Sequence, residues 1–505
     1  MRSAVDYNAL AATTSVEDIT DNALNQKILR LLRTNDASLS YLCLCEKVSQ
    51  EEDGFYHPGS SEELGWLGHF TMNCTNENLK EFTLFEPDVF KKCSKQSVDR
   101  FFEDLGRCNH IETMQFSYAD LTEIIYKLGP AMKNSNIIRL SMEECDLGVA
   151  GKNHLFNVFR DMKSLEKLSI KWNDPGNDNF NDDVMAGCIP SLAACTAMRC
   201  LALSCLGFGS NSCAALSANF PRMTSLQRLT LQRNSIDDSC VGVLVHGLAE
   251  CKHLRILDLG CNMIGDDGLD VLVQGLPAGV VNLSLEWNEV TLARQLSMLR
   301  FEALNLEGNP LTFDGAQTIA LTLANPECRL EFLAISGISF GDEGAAILAA
   351  SLRINRRLTH MWFELSGITE TGWDLFLPIL CDTTSIDATY NSNHTLESLG
   401  AEKFPKDIRM LLGLNSDKDK SRVAATKILQ AHRHLDMIPL FGRELGLLPY
   451  VVAWLERFAE SRLDLKLTAL YDFVRAMPLK VVNRVVDQTK GKKRKLNNSE
   501  VDMRN

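Results

Sequence analysis

The stretches Leu226-Gln-Arg-Leu-Thr-Leu-Gln-Arg-Asn234 and Leu254-Arg-Ile-Leu-Asp-Leu-Gly-Cys-Asn262 decide the fold, because they share one pattern of apolar and polar positions. The pattern Leu-x-x-Leu-x-Leu-x-x-Asn recurs from Val280 and from Phe301. Looser copies begin at Leu79, Ile111, Ile137, Leu165, Met198, Leu330 and Leu358, and a weak last copy begins at Ile386. Successive starts from Leu79 to Leu358 are 21 to 33 residues apart. Such a period indicates stacked repeats, each of which buries its apolar face only against its neighbours.

Each copy predicts one short strand followed by one helix. Successive side chains of a strand point to opposite faces, so the leucines of Leu-x-Leu face the core and the residue between them faces outward. The asparagine is expected to hydrogen-bond backbone groups where the strand turns, as a ladder between coils. Apolar residues at helical spacing follow in segments 240–250, 267–276, 314–324 and 342–354.

The repeat resembles the ribonuclease-inhibitor type of leucine-rich repeat, and the resemblance covers the chain from Leu79 to Leu399. It implies an α/β fold, a curved, horseshoe-shaped solenoid with a parallel concave sheet, convex helices and a C-terminal helical cap. The passage from Ser392 to Arg475 is similar to the ends of a repeat-protein family that is expanded in some algae. That second resemblance implies a domain layout and no function.

The segments outside the repeats complete the predicted domain layout. We expect a polar, partly disordered N-terminal segment over residues 1–62 and an N-terminal cap over 63–78, in which Trp66 shields the end of the core. The solenoid itself is expected over residues 79–400. Apolar helical segments separated by prolines predict a helical C-terminal cap over 401–489, followed by a basic disordered tail over 490–505.

The composition excludes several classes of partner. The 505-residue chain carries a net charge of −13, and an acidic chain repels nucleic acid and anionic membrane surfaces. The longest apolar stretch, residues 445–455, is too short to span a bilayer. The N-terminus lacks the order of a signal peptide, and the sixteen cysteines are scattered. We therefore expect reduced thiols and a cytoplasmic or nuclear protein.

A basic cluster near the end of the chain bears on localisation. It consists of Lys492, Lys493, Arg494 and Lys495. Such a cluster on a disordered tail fits a nuclear import signal, and a merely solvated tail is the alternative.

The sequence contains no pattern typical of a catalytic, cofactor or metal site, so a protein that is not an enzyme is expected. Gly151-Lys152 matches only two of four positions of a phosphate-binding loop. His432 and His434 lie on different faces of a predicted helix, which favours a solvated helix end over a metal site. The Asp-rich loop 173–183 lacks the ligand order of a calcium-binding EF-hand, which favours a polar loop without an ion.

Outward-facing strand residues are the candidate binding residues. Exposed aromatic rings beside charges are typical of protein-binding hot spots, and the alternative is solvated charges with tryptophans packed under neighbouring loops. The candidates on the concave face are Trp362, Glu364, Glu307, Glu286, Asp258, Trp287, Trp172, Lys171 and Tyr118. Trp362 ranks first, because small residues occupy its strand position in most other repeats.

Together these features predict a non-enzymatic protein-binding scaffold whose acidic concave face favours a basic protein partner, as in the ribonuclease inhibitor. No cofactor is expected, nor is a small-molecule ligand. One alternative is a small-GTPase regulator resembling the Ran GTPase-activating protein, although that family carries an acidic segment where this chain has a basic tail. Another is the substrate-recognition subunit of a ubiquitin ligase, although residues 1–62 have little apolar sequence for F-box helices. The leucine-rich part of an innate-immune receptor is a third alternative.

Overall fold

The computed structural model describes residues 6–46, 54–134, 136–171, 181–293, 298–337, 340–363, 367–400 and 405–432, together with Ala453 and Arg457. The chain divides into two compact units, Met1–Pro310 and Leu311–Asn505. Several predicted features lie outside the described residues. They are Trp172, Glu364, the helices expected after residue 435 and the cluster Lys492, Lys493, Arg494 and Lys495.

The described part of the first unit contains a sheet of eleven parallel strands. They are β1 Tyr41–Leu44, β2 Phe55–Tyr56, β3 Glu81–Phe85, β4 Thr113–Ser117, β5 Arg139–Glu143, β6 Lys167–Lys171, β7 Cys200–Ser204, β8 Arg228–Thr230, β9 Ile256–Asp258, β10 Asn282–Ser284 and β11 Ala303–Asn305. Their order is β11-β10-β9-β8-β7-β6-β5-β4-β3-β1-β2. Repeated leucines lie side by side across the sheet, as Leu201, Leu229 and Leu257 do, and all three are buried.

Three helices of the first unit precede β1, and the others alternate with strands β2 to β10. They are α1 Tyr7–Leu10, α2 Val16–Ile19, α3 Ala23–Thr34, α4 Ser61–Asn73, α5 Lys95–Leu105, α6 Ile125–Asn134, α7 Gly148–Phe159, α8 Asp182–Cys188, α9 Ser210–Asn219, α10 Asp238–Leu248 and α11 Asp266–Gly275. Short 3₁₀ helices occupy Ile189–Ala194 and Phe220–Arg222. Sequence-adjacent helices pack on one another, as α9 does on α10 and α10 on α11. The predicted α/β leucine-rich-repeat solenoid is confirmed.

The sheet begins at Tyr41, ahead of the predicted start at Leu79. β1 pairs with β3 in parallel, with Leu42 opposite Phe82. The composition of residues 1–62 predicts partial disorder, but the described residues there form three helices and two strands. The reason is that Leu42 and Leu44 bury their side chains fully. Trp66 is also buried, on α4, but it does not close the sheet, which continues past β3 to β1 and β2.

The second unit contains a pair of parallel strands and further helices. The strands are β12 Phe332–Ala334 and β13 His360–Trp362. The helices are α12 Phe313–Ala324, α13 Gly341–Leu352, α14 Glu370–Asp374, α15 Leu377–Leu380, α16 Ile386–Tyr390, α17 Lys406–Asn415 and α18 Lys420–Ala431. α17 and α18 lie within residues 401–489, where the sequence predicts a helical C-terminal cap.

The predicted last copy at Ile386 is wrong. That segment is the helix α16, because the Ser385 side chain accepts a hydrogen bond from the Ala388 N–H and caps it. The strand-like contact instead forms at Ser398, which bridges to His360 in parallel. The last repeat therefore begins at Leu396, which is fully buried.

Two properties of the described residues bear on membrane and metal binding. None of the described helices combines the length and the apolarity needed to cross a bilayer. Over the same residues, no group of three or more His, Cys, Asp or Glu side chains is arranged to hold a metal ion. All sixteen cysteines are unpaired thiols.

Candidate functional site

Asparagine side chains hold consecutive coils of the first unit together, as the sequence predicts. Asn234 donates from Nδ2 to the carbonyl oxygens of Leu203 and Leu231, both at 3.0 Å. Its Oδ1 accepts from the backbone N–H groups of Leu206 and Phe208, at 3.0 and 3.2 Å. Asn262, Asn288 and Asn309 make equivalent bonds in the next coils. These asparagine side chains therefore fix the turn after each of these strands against the backbone of the preceding coil.

A left-handed bend follows the ends of these strands. Positive φ angles occur at Glu86, Tyr118, Glu144, Cys205, Arg233, Cys261, Trp287 and Gly308, which we call the bend row. Tyr118 and Trp287 in this row are 46% and 60% exposed. The bend row therefore presents aromatic and charged side chains along one edge of the outward face.

The outward face itself consists of three rows of side chains, set by the strand register. The first row includes Arg139, Lys167, Cys200 and Arg228. The middle row is mostly small, and includes Ser141, Ser169, Ala202, Thr230, Asp258, Ser284 and Asn305. The third row, two residues further along each strand, includes Glu143, Lys171, Ser204, Gln232, Gly260, Glu286 and Glu307.

Four of these side chains form a hydrogen-bonded acidic cluster. Gln232 donates from Nε2 to Asp258 Oδ2 at 2.8 Å and to Glu286 Oε1 at 3.2 Å. Asn305 donates from Nδ2 to Glu286 Oε2 at 2.8 Å. We call Asp258, Glu286 and Glu307, with Gln232, Asn305 and Trp287, the acidic site.

Two glycines allow the acidic site to pack closely. A Cβ atom on Gly260 would lie 2.7 Å from Cγ of Glu286, so the Glu286 side chain passes over a bare backbone. Gly308 has φ +68°, and a Cβ atom there would lie 2.5 Å from the Trp287 ring. The Trp287 ring therefore lies against the backbone of the next coil while it remains 60% exposed.

Burial raises the pKa of the Asp258 carboxyl above its ordinary value, and the neighbouring Glu286 acts in the same direction. Hydrogen bonds from Gly260 and Gln232, together with the charge of Arg228, act against this rise. The negative charge of Asp258 is therefore held in an unfavourable environment, which a nearby cation would improve.

The other predicted site residues lie apart from the acidic site. Lys171 ends β6 and binds Glu143 Oε1 at 2.6 Å, a bond that raises the pKa of the lysine. Tyr118 follows β4 and packs edge-on against Phe85, with ring centroids 5.8 Å apart. The structure therefore brings Asp258 and Glu286 together, with Trp287 following Glu286 and with Glu307 beside it on the next coil, and it separates them by several strands from Lys171 and Tyr118.

Trp362 lies on β13 in the second unit and is 41% exposed. Its ring packs edge-on against Phe332, with centroids 4.9 Å apart, and a Cβ atom on Gly400 would lie 2.9 Å from Trp362 Cα. The ring is therefore partly used within its own unit. The expected column of Glu286, Glu307 and Glu364 includes one residue, Glu364, that is outside the described part of the chain.

The predicted solvated helix end at His432 is wrong, because His432 is buried. Its Nε2 lies 2.7 Å from Thr389 Oγ1. Nearby, Lys427 is fully buried and donates from Nζ to the carbonyl oxygens of Leu380 and Asn393, at 2.6 and 3.1 Å. Burial lowers the pKa of Lys427 to about 7. These groups are bound within the second unit and serve its packing.

Asp182 in the Asp-rich loop is engaged by the protein itself. Its carboxylate accepts from the backbone N–H groups of Gly209, Asn211 and Ser212, each at 2.8 Å. Residues 173–180 of this loop lie outside the described residues. The Asp183 carboxylate accepts from Asn211 Nδ2 at 2.8 Å.

The first row is the feature that the prediction from sequence leaves out. Its cations, Arg139, Lys167 and Arg228, are the first residues of their strands. The predicted site uses only the residue between the last two apolar residues of each repeat pattern and the residues that follow them. The signal was available as a basic residue immediately before the second leucine of the repeat, at Arg139, Lys167 and Arg228.

Known proteins resemble this chain in its repeats. A family model described as "Leucine Rich repeat" matches residues 250–273. The ribonuclease inhibitor of Sus scrofa is 24% identical over 275 residues, which cover 47% of this chain and 59% of the inhibitor. NACHT, LRR and PYD domains-containing protein 14 of Mus musculus is 24% identical over 383 residues, which cover 70% of this chain and 35% of that protein.

The same protein of Homo sapiens is 32% identical over 187 residues, which cover 34% of this chain and 16% of that protein. The chain thus spans between 16% and 59% of the length of these relatives. A solved internalin from Listeria monocytogenes str. 4b F2365 aligns with 70% of this chain and 93% of its own, at 14% identity and a TM-score of 0.39. The fold is therefore assigned from the repeat geometry. The strand, helix and asparagine ladder of each coil, with these sequence relatives, identify the chain as a leucine-rich-repeat protein of the ribonuclease-inhibitor-like type.

Proposed function

We propose that this protein is a non-enzymatic scaffold that binds a basic protein partner through the acidic site. The observation that carries the proposal is the pairing of Asp258 with Glu286 through Gln232, next to the exposed ring of Trp287 and one coil away from Glu307. Side chains held by Gln232 and Asn305 lose little freedom on binding, which favours affinity.

The charge of the site favours a cationic partner. Asp258 and Glu286 share one hydrogen-bond donor, Gln232, so two carboxylates lie close together. The two negative charges repel one another, and a lysine or arginine of the partner relieves that repulsion. The relative named ribonuclease inhibitor supports a protein-binding role, because its name gives a protein as its target and its similarity extends over 47% of this chain.

Trp287 supplies apolar contact area next to these charges. Its ring is 60% exposed and is oriented by the backbone of Gly308. A large aromatic ring bordered by charged groups is typical of an interface hot spot. Trp362 remains a predicted second contact, on a separate unit of the chain.

Calorimetric titration of the full chain with a basic ribonuclease and with a lysine-rich peptide tests the proposal. We expect Trp287→Ala to weaken binding about 30-fold, which corresponds to about 2 kcal/mol, with little change in melting temperature. Glu286→Gln with Glu307→Gln should slow association and reduce its dependence on salt. Glu103→Gln with Glu250→Gln is the matched control, because both residues are exposed and lie on or next to helices.

Binding should also depend on pH through Asp258. Because the pKa of Asp258 is raised, this carboxylate becomes protonated at a higher pH than an ordinary aspartate, and affinity for a cation falls earlier on acidification. Asp258→Asn should remove that part of the pH dependence. If neither probe binds, or if both bind the Glu286 and Glu307 variant as tightly as the wild type, the acidic site is not the binding site.

A further inference from the structure

A second charged surface lies on the outward face of the first unit. A groove of about 560 Å³ crosses strands β4 to β9 at the start of each strand. Four exposed cations line it, namely Arg139, Lys167, Arg228 and Arg255. We call these four residues and the volume between them the basic groove.

The basic groove lacks direct ion pairs within the part of the chain that the structure describes. Over the described residues, none of the four makes an ion pair within 4 Å, although the charge of Arg228 acts on Asp258. Neighbouring cations on the same edge behave differently, since Lys80 binds Glu112 at 2.7 Å and Arg199 lies 3.6 Å from Glu166. A cluster of unpaired cations in a chain of net charge −13 repels itself, and an anionic ligand relieves that repulsion.

The floor of the basic groove is formed largely by small side chains. It contains Ser141, Ser169 and Ala202 in the middle row, with Thr113 and Gln115 at one end. Adjacent strands lie about 4.8 Å apart, so Arg139 on β5 and Arg228 on β8 are separated by about 14 Å. In an extended peptide, side chains on the same face are about 6.8 Å apart, so acidic side chains at positions i and i+4 are about 14 Å apart and match the separation of Arg139 and Arg228.

We propose that the basic groove binds an extended acidic segment, rich in Asp and Glu, of a protein partner. This goes beyond the proposed function, because it assigns a second subsite of opposite charge on the same strands and needs no contact with the acidic site.

The composition of the groove favours a peptide over a nucleic acid. None of the described residues that line it is aromatic, so it offers no ring on which a base can stack. The overall negative charge of the chain also repels a long polyanion, whereas a short acidic segment meets mainly the local cations.

Fluorescence anisotropy of labelled peptides with the full chain tests this subsite. The probes are an Asp/Glu-rich peptide of twelve residues, a lysine-rich peptide of equal length and a single-stranded oligonucleotide. We expect Arg139→Gln with Lys167→Gln and Arg255→Gln to weaken binding of the acidic peptide at least tenfold and to leave binding of the lysine-rich peptide unaffected, because none of these three charges acts on Asp258. Lys163→Gln with Arg222→Gln and Lys252→Gln removes three exposed charges elsewhere and is the matched control.

The results separate the two proposals. Glu286→Gln with Glu307→Gln should weaken binding of the lysine-rich peptide and leave binding of the acidic peptide unchanged. Loss of the acidic site can therefore be distinguished from loss of the basic groove. The proposed subsite is refuted if the acidic peptide does not bind, or if the groove and control variants weaken it equally. It is also refuted if the oligonucleotide binds the groove as tightly as the acidic peptide.

Discussion

Single side chains connect neighbouring coils by donating hydrogen bonds to backbone carbonyl oxygens. Besides the asparagine ladder, the position three residues before a repeat holds a donor to a carbonyl oxygen of the preceding coil. Asn76, Asn355 and Asn393 donate there from Nδ2, and Cys108, Cys195 and Cys251 donate there from Sγ. Burial raises the pKa of Cys108 and Cys195 to about 12, so these thiols stay protonated donors. Cysteine therefore recurs at this position because its thiol makes this hydrogen bond, as well as because its side chain is small and apolar.

Asn262→Ala should be strongly destabilising for the same reason. The substitution leaves the buried N–H group of Ile236 without its acceptor, and it removes one of the two amide donors to each of the carbonyl oxygens of Leu231 and Leu259. We expect the free energy of unfolding to fall by about 3 kcal/mol, as measured by chemical denaturation. Gln227→Ala, at an exposed position of the same face, should change it by less than about 0.5 kcal/mol. Equal effects of the two substitutions would contradict the role of the ladder.

Helix starts connect consecutive elements through aspartate side chains. Asp238 at the start of α10 accepts from the Gly265 N–H at 2.7 Å, next to the start of α11. Asp266 at the start of α11 accepts from Thr291 N and Leu292 N, at 2.8 and 2.9 Å. Among the described residues between β10 and β11 there is no helix, in agreement with the short spacing of that repeat. The aspartate thus holds a loop where other repeats have a helix.

Asp266→Ala should destabilise the first unit, because four hydrogen bonds to this loop are lost. Burial acts to raise the pKa of Asp266, but bonds from Thr291, Leu292 and Ala293 outweigh it and hold the pKa below its ordinary value. The stabilisation is therefore present above the ordinary pKa and is lost as the pH falls through the lowered one. We expect a loss of about 2 kcal/mol at pH 7 that shrinks on acidification, measured by denaturation at several pH values.

Asp270→Ala serves as the control for this prediction, because Asp270 bonds to Gln274 within α11. It should cost much less at pH 7. A cost of Asp266→Ala that stays constant down to about pH 3 would show that the charge of Asp266 does not stabilise the loop.

At the scale of the whole molecule, a buried cation makes the stability of the second unit depend on pH. The amine of Lys427 is buried and donates to two carbonyl oxygens. Since the pKa of Lys427 is lowered to about 7, the folded chain loses this proton at a lower pH than the unfolded chain does. Stability of the second unit should therefore rise with pH above about 7.

Thermal unfolding of wild type and Lys427→Met between about pH 7 and 8.5 tests this expectation. Higher pH is avoided because the buried thiols, whose pKa values are raised, then act in the opposite direction. The wild type should gain melting temperature across this range, and the variant should be less stable but show a flatter dependence. Parallel curves for the two proteins would mean that Lys427 does not titrate in this range.

Much of the fold followed from the sequence because its signals are local. Leu-x-Leu spacing, helical periodicity and the asparagine position recur in each coil, so strands β3 to β13 and the ladder of Asn234 and Asn262 could be predicted. The candidate site was predicted in part, because Asp258, Glu286 and Trp287 occupy outward positions of that same pattern. Their hydrogen bonds through Gln232 could not be predicted, since the partners lie 26 and 54 residues away.

Only the tertiary structure decided how residues of different coils meet. β1 joins the sheet because Leu42 and Leu44 bury against neighbours that the weak local pattern does not reveal. His432 is buried because it packs against Thr389 on a distant helix. The basic groove exists because parallel register aligns Arg139 with Lys167, and places Arg228 two strands further on. The sequence by itself therefore determined the repeating unit, and the stacking of units determined which charges converge, because convergence depends on contacts between coils rather than within one.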